Sequence, residues 1–198
     1  LNPKDLGLCY QNLSLLYFSK GNKDLALENI KKAVSIDPHS KDNQLLELIF
    51  KNNKHLNYEK NYSSYPVTLN KKVDPELINA LYKIKSLDLN KFSDPSFGNA
   101  RGSDYKLFED NEIITQKLKE QLIAITKGIV KQNVFFRDSF FTILGGESTI
   151  NKHNHLGRLD KFKNLNLSEH KYSLVYYLSI GDQNCQHPGI LKFYKDLH

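Results

Sequence analysis

The sequence predicts an α+β fold in which helices occupy the first two thirds of the chain and β-strands the last third. Apolar residues recur at helical spacing up to about Gln132, and from Val134 the period changes to two. Runs of helices followed by runs of strands are typical of α+β proteins. The 198 residues, of which 39% are hydrophobic, allow one large core or two small ones.

Composition argues against several functional classes. The formal charge is +6, but Lys and Arg are spread beside Asp and Glu without a basic block, so we expect solvated helix faces and no nucleic-acid partner. No apolar run approaches the length of about 18 residues that spans a bilayer, so no membrane association is expected. Cys9 and Cys185 lie in different predicted units, which favours a reducing, cytoplasmic compartment over a disulfide framework.

The N-terminal segment reads as two amphipathic helices joined by a glycine turn. The first helix has an apolar face, formed by Leu6, Tyr10, Leu13, Leu16 and Tyr17. Gly21-Asn22 ends it, because glycine adopts the left-handed conformation at low cost. The second helix is predicted from about Lys23 to Ile36, where Asp37-Pro38 stops it, and its inner face carries Ala26, Ile30, Ala33 and Val34.

This pattern resembles the tetratricopeptide repeat. Small residues stand where two antiparallel helices approach closely, and larger ones surround them, in the order Tyr10, Leu13, Ser14, Tyr17, Gly21, Ala26, Ile30, Ala33 and Pro38. The departures are Tyr for Trp, Ser for Gly and Ile for Phe. The resemblance implies a segment that scaffolds or binds a protein or peptide partner, and a generic helical hairpin is the plain alternative.

The ends of the chain suggest a fragment. Pro3 and Pro38 are 35 residues apart, close to the repeat period of about 34, so Leu1-Asn2-Pro3 resembles the tail of a preceding repeat. The chain contains no Met and begins at Leu1. We therefore expect truncation at both ends and further repeats upstream, since one repeat cannot bury its face alone.

The middle of the chain divides the predicted domains. A helix from Lys41 to Tyr58 is expected to cap the repeat, giving a first domain at 1–60 and a linker at 61–72. The second domain, 73–198, opens with a helix start at Asp74-Pro75-Glu76 that leads into residues 77–86. A loop at 92–105 and a long helix at 109–132 follow.

Four apolar segments with period two, at 134–144, 148–155, 171–180 and 189–194, are predicted strands. On the second, His153 and His155 share one face, where two imidazole nitrogens could meet one metal ion. Asp160 follows after a short loop and is a candidate third ligand, or a carboxylate that orients an imidazole. A solvated pair of histidines on an exposed strand is the alternative.

The strand region also resembles an iron(II)/2-oxoglutarate-dependent oxygenase family, over roughly residues 100–198. The resemblance rests on four stretches, which are 138–144, 153–156, 172–178 and 188–194. It implies an incomplete double-stranded β-helix, or jelly-roll, and in the parent protein a hydroxylase that uses iron(II) and 2-oxoglutarate. Some members of this family carry tetratricopeptide repeats ahead of the catalytic domain, so the two resemblances support each other.

The resemblance also implies ligands. His153 matches the first iron ligand, and either His155 or Asp160 takes the place of the family's acidic ligand. The distal histidine ligand and the basic residue that binds 2-oxoglutarate are expected beyond Tyr194. His198 is a poor match for the distal histidine ligand. The candidate 2-oxoglutarate contacts, which could equally be barrel packing or surface, are Tyr172, Tyr176 and Lys192.

Three other functions remain open from the residues. A cupin has the same barrel and a His-x-His pattern followed by Glu, and would bind metal without 2-oxoglutarate. A zinc-stabilised module would use His153, His155, Cys185 and His187, although an ordinary loop around Cys185 that binds no metal is favoured. A non-catalytic adaptor would use the tetratricopeptide segment alone.

Overall fold

The computed structural model describes the chain in two compact units. The described residues are 2–51, 66–92, 98–146, 148–151, 153, 157–165, 167, 171–181 and 189–192, with backbone alone at 90 and 92. The first unit combines Leu1–Thr68 with His155–Leu174. The second combines Leu69–Asn154 with Val175–His198. Each unit is described by itself.

Three helices build the first unit: α1 (Pro3–Ser19), α2 (Lys23–Ile36) and α3 (Lys41–Lys51). The side chain of Asn2 caps α1 by accepting a hydrogen bond from Lys4 N at 3.1 Å. Asn22 caps α2 in the same way, accepting from Leu25 N at 3.2 Å. Gly21 has φ +77°, so the predicted left-handed turn between α1 and α2 is confirmed. The predicted continuation of α3 to Tyr58 lies outside the described residues.

Small side chains allow α1 and α2 to pack closely. Ser14, Ala26 and Ala33 have no exposed surface, and Ile30 is equally buried between them. A Cβ on Gly7 would stand 3.3 Å from Ile36 Cγ2, so α1 and α2 also approach each other closely near Gly7. The prediction that Ser14, Ala26 and Ala33 mark a close helix crossing is confirmed.

A discontinuous segment completes the first unit. We call residues 157–165 and Leu167 the Arg158 turn; it contains two 3₁₀ turns, Arg158–Lys161 and Lys163–Leu165. Three of its apolar side chains are buried, namely Leu159, Leu165 and Leu167, whereas Phe162 is exposed. The sequence analysis placed this segment in the range 73–198, and the structure groups it with the N-terminal helices.

The second unit combines helices with a small sheet. In chain order its elements are α4 (Pro75–Lys83), β1 (Leu87–Asp88), α5 (Leu89–Phe92), β2 (Arg101–Gly102), a 3₁₀ turn (Leu107–Glu109), α6 (Ile113–Val130) and β3 (Thr142–Ile143). The strands form an antiparallel sheet in the order β1-β2-β3. Asp74 caps α4 by accepting from Glu76 N at 3.0 Å, as the sequence predicts. The predicted loop at 92–105 contains the short strand β2.

One apolar cluster forms the core of the second unit. Residues from α4, the 3₁₀ turn, α6 and the segment before β3 are buried together, and they are Leu77, Leu81, Leu107, Phe108, Leu118, Leu122 and Phe141. Around it pack partly buried side chains, among them Phe136, Ile143, Tyr176 and Leu178. No helix among the described residues has the length and apolar character needed to cross a membrane.

The predicted strands are only partly regular. Within 134–144 the structure has β3 at two residues, and 171–180 has no regular ladder in the part of the chain that is described. Alternate burial is visible over 175–178, where Tyr176 and Leu178 face the core while Val175 and Tyr177 are exposed. It does not extend to Leu174 and Ile180, which are exposed. The described residues therefore show a small sheet and no jelly-roll. Alternation fixes which side of an extended chain is buried, but a ladder also needs a partner strand.

We predict that Ile30→Ala lowers the free energy of unfolding of the first unit by about 2–4 kcal/mol, because it opens a cavity in a fully buried site. Urea unfolding monitored by helical circular dichroism measures the change. Leu16→Ala, which truncates a side chain that is 47% exposed on α1, is the control and should cost under about 1 kcal/mol. Equal losses in the two variants would contradict the packing described here.

Two glycine-to-alanine substitutions should have opposite effects on the free energy of unfolding. Gly21→Ala places a side chain at φ +77° and should destabilise by about 1–2 kcal/mol, although nothing lies within 4 Å of the added Cβ. Gly128→Ala adds a Cβ in open space on helix α6 and should stabilise by about 0.5 kcal/mol. Thermal unfolding of both variants checks the pair, and a stabilised Gly21→Ala protein would contradict the assigned turn.

Candidate functional sites: the α1–α3 seam and the His153 region

Helices α1 and α3 lie side by side and form a surface that we call the α1–α3 seam. Gln11 Nε2 on α1 donates to Asn43 Oδ1 on α3 at 2.7 Å, and both side chains are buried. Asn43 Nδ2 in turn donates to Ala33 O at 3.3 Å. At the far end, the rings of Phe18 and Phe50 stack with centroids 4.6 Å apart. Polar and aromatic contacts thus set the register of the two helices.

Arg158 bridges the two sides of this seam. Its Nη2 donates a hydrogen bond to Gln11 Oε1 on α1 and lies 3.6 Å from Asp42 Oδ2 on α3. The planar guanidinium carries five donors, which suits a site with a neutral acceptor and a carboxylate. Without Arg158, the oxygen of the buried Gln11 amide would lose this donor, and burying an unpaired polar atom is costly.

Asp160 holds the Arg158 turn in shape. Lys171 Nζ contacts both carboxylate oxygens of Asp160, at 2.7 and 2.6 Å, and both side chains are largely buried. The same carboxylate accepts a hydrogen bond from Gly157 N at the start of the turn. These contacts give Asp160 a structural role, as an anchor for the turn and a counter-ion for Lys171.

His153 has a geometry that suits a metal ligand. Its Nδ1 lies 2.8 Å from Asn151 O, and because a carbonyl only accepts, the proton of a neutral ring is on Nδ1. The lone pair is then on Nε2. A backbone carbonyl that fixes the tautomer in this way is a common partner of metal-binding histidines. The side chain is exposed in the second unit.

The three candidate 2-oxoglutarate contacts have different surroundings. Tyr176 packs on the core of the second unit, donates from its hydroxyl to Lys72 O at 3.1 Å and lies under Lys71 Nζ, 5.8 Å from the ring centroid. Burial raises the pKa of the Tyr176 phenol, and the charge of Asp74 raises it further. Tyr172 and Lys192 are exposed.

The predicted site residues are only partly described. The structure places His153 in the second unit and Asp160 in the first. Within the described ranges, no three His, Cys, Asp or Glu side chains are grouped so that they could hold a metal ion. The remaining candidates lie outside the described residues, namely His155, Cys185, His187 and His198.

Sequence reasoning missed the residues that form the seam. Gln11 and Asn43 are polar residues on helix faces that are otherwise apolar, and that interruption was the signal that could have singled them out. Arg158 and Lys171 gave no comparable signal. Each is an ordinary basic residue in a segment rich in lysine, and its partner is fixed only by the fold.

Comparison with known proteins agrees with the geometry of the first unit. Residues 9–40 match the family model described as tetratricopeptide repeat. A tetratricopeptide repeat is therefore present at 9–40. The repeat covers most of α1 and all of α2, and repeats of this class generally mediate protein–protein interaction. Comparisons with curated proteins and with solved structures gave no significant match.

Asp160→Asn should destabilise the first unit by about 1–3 kcal/mol, because it leaves the largely buried Lys171 without its carboxylate partner. Chemical unfolding measures the loss. Asp37→Asn makes the same acid-to-amide change at an exposed position after α2 and should shift stability by under about 0.5 kcal/mol. If Asp160→Asn were as stable as this control, the structural role given to Asp160 would be wrong.

Proposed function

We propose that the tetratricopeptide repeat of this chain binds a protein or peptide partner. The observation that carries the proposal is the matched repeat at 9–40, which packs against α3 as successive repeat helices do. Stacked helical repeats expose extended surfaces for partners, and the α1–α3 seam is the surface to which we assign this role.

The test is a selection of displayed peptides against the full chain, followed by affinity measurements on two matched core variants. Ile30→Ala weakens the first unit, and Leu122→Ala weakens the core of the second. Selected peptides should lose at least tenfold in affinity for Ile30→Ala and keep their affinity for Leu122→Ala. The reverse pattern would place binding outside the repeat and contradict the proposal.

A second proposal concerns the parent protein. We propose that the region around His153 contributes to an iron(II) site in a 2-oxoglutarate-dependent oxygenase, as the resemblance of the strand region implies. The proposal is supported by the contact of His153 Nδ1 with Asn151 O, which leaves the lone pair on Nε2. Iron(II) with 2-oxoglutarate would activate dioxygen for hydroxylation of a C–H bond.

The donor set of this proposed site favours His155 over Asp160 as the second ligand. Asp160 is paired with Lys171 through both of its oxygens and caps the Arg158 turn, so binding a metal would require breaking these contacts. His155 is placed by the sequence alone. Tyr172 and Lys192 remain the candidate contacts for 2-oxoglutarate, whereas Tyr176 is held by the core and Lys72.

The alternate burial over 175–178 is consistent with part of one wall of a larger sheet. Tyr176 and Leu178 cover the core of the second unit, and several exposed side chains on this and nearby segments are large and apolar, namely Leu144, Val175, Tyr177, Ile180, Ile190 and Leu191. We take these exposed apolar side chains as candidates for burial under a further layer of sheet. A jelly-roll wall would have this character.

Anaerobic iron(II) titration, with and without 2-oxoglutarate, tests the second proposal. A His153→Ala, His155→Ala variant should bind iron at least tenfold more weakly than the unmodified chain, and 2-oxoglutarate should tighten binding only in the latter. His39→Ala, at an exposed site after α2, is the matched control and should bind like the unmodified chain. Iron binding with the same affinity in the presence and absence of 2-oxoglutarate would favour a cupin-like site. Iron binding unchanged by the double substitution would overturn the proposal.

A further inference from the structure

The α1–α3 seam offers two acceptors with different charge to a single cation. Gln11 Oε1 is neutral and Asp42 carries a carboxylate, and Arg158 reaches both with one guanidinium nitrogen. The Gln11 amide is held by Asn43, so its oxygen keeps a fixed direction whether or not Arg158 is present. The seam thus presents two fixed acceptors to one cationic nitrogen, which the Arg158 guanidinium supplies.

The segment that supplies this arginine is separate from the repeat in sequence and compact in itself. Arg158 is 147 residues from Gln11 along the chain. Its turn is closed by local bonds, from Asp160 N to Gly157 O at 3.1 Å and from Phe162 N to Leu159 O at 3.1 Å. In the full chain, the Asp160–Lys171 ion pair adds a further contact from a residue beyond the turn. The turn can therefore keep its shape without the seam, as a folded peptide ligand does.

The contacts between the Arg158 turn and the seam are of moderate strength. The Arg158 side chain is 48% exposed, so water screens its contact with Asp42. The two 3₁₀ turns have poorer hydrogen-bond geometry than α-helix, and such segments open more readily than long helices. Leu159 beside Arg158 is buried, so the turn carries a buried apolar side chain next to its charged one.

We infer that the α1–α3 seam is a recognition surface for a short peptide turn carrying arginine followed by leucine, and that the chain's own Arg158 turn occupies this surface. An external partner with the same chemistry must displace the turn, which makes the turn an internal competitor for the repeat. The inference rests on the proposed binding function of the repeat and names the chemistry that it recognises.

The test uses a fluorescent synthetic peptide of residues 157–167 and the full chain. In the unmodified chain the internal turn competes, so binding is weak. In Arg158→Ala the internal turn loses its bridge to Gln11 and Asp42, and the added peptide should bind about tenfold more tightly, the change expected from loss of one charge-assisted hydrogen bond. A peptide with alanine in place of its arginine should show no such gain.

Two variants control for folding and for charge. Lys161→Ala removes a cation from an exposed position of the same turn and should bind the peptide like the unmodified chain. Arg158→Lys keeps a charge near Asp42 but replaces the planar guanidinium by an ammonium on a differently shaped side chain, so its affinity for the peptide should be intermediate. Circular dichroism of each variant establishes that the helices of the first unit are intact.

Equal peptide affinity in the unmodified chain and in both Arg158 variants would overturn the inference, as would equal binding of the alanine peptide. Displayed peptides that bind through the first unit, yet do not compete with the 157–167 peptide, would also overturn it. That last result would leave the proposed binding function of the repeat intact, so the two failures are distinguishable.

Discussion

The close packing of α1 against α2 is the constraint on which the rest of the first unit depends. Ser14, Ala26 and Ala33 are small enough to be fully buried at the crossing, and Ile30 fills the space that remains. Larger side chains there would force the helices apart, because packed interiors have little spare volume. With this hairpin fixed, α3 lies beside α1, and the seam that receives Arg158 is formed.

Local signals made the helices of both units predictable. Gly21 at the end of α1 and Asp74 at the start of α4 act on their immediate neighbours, so the sequence alone identifies them. The contact of Arg158 with Gln11 joins residues that are 147 positions apart, and neither has a neighbour in sequence that points to the other. Long-range polar pairs of this kind depend on the whole fold, which explains why the seam was not foreseen.

The strand region shows a different limit of sequence reasoning. The predicted period of two is seen only over 175–178, where Tyr176 and Leu178 face the core and their neighbours are exposed. Pairing depends on which segment lies alongside, and in the described residues regular ladders are confined to β1, β2 and β3. For the candidate metal site, spacing predicts a shared face for His153 and His155, and the structure adds the contact of the His153 ring with Asn151 O.

A double-mutant cycle between Gln11 and Arg158 tests the central claim most directly, which is that a distant turn docks on the seam of the repeat. The free energy of unfolding of the first unit would be measured for Gln11→Ala, Arg158→Ala, the double variant and the unmodified chain. The structure predicts a coupling of about 1–2 kcal/mol, since the two side chains share a hydrogen bond. Effects that add to within about 0.3 kcal/mol would contradict it.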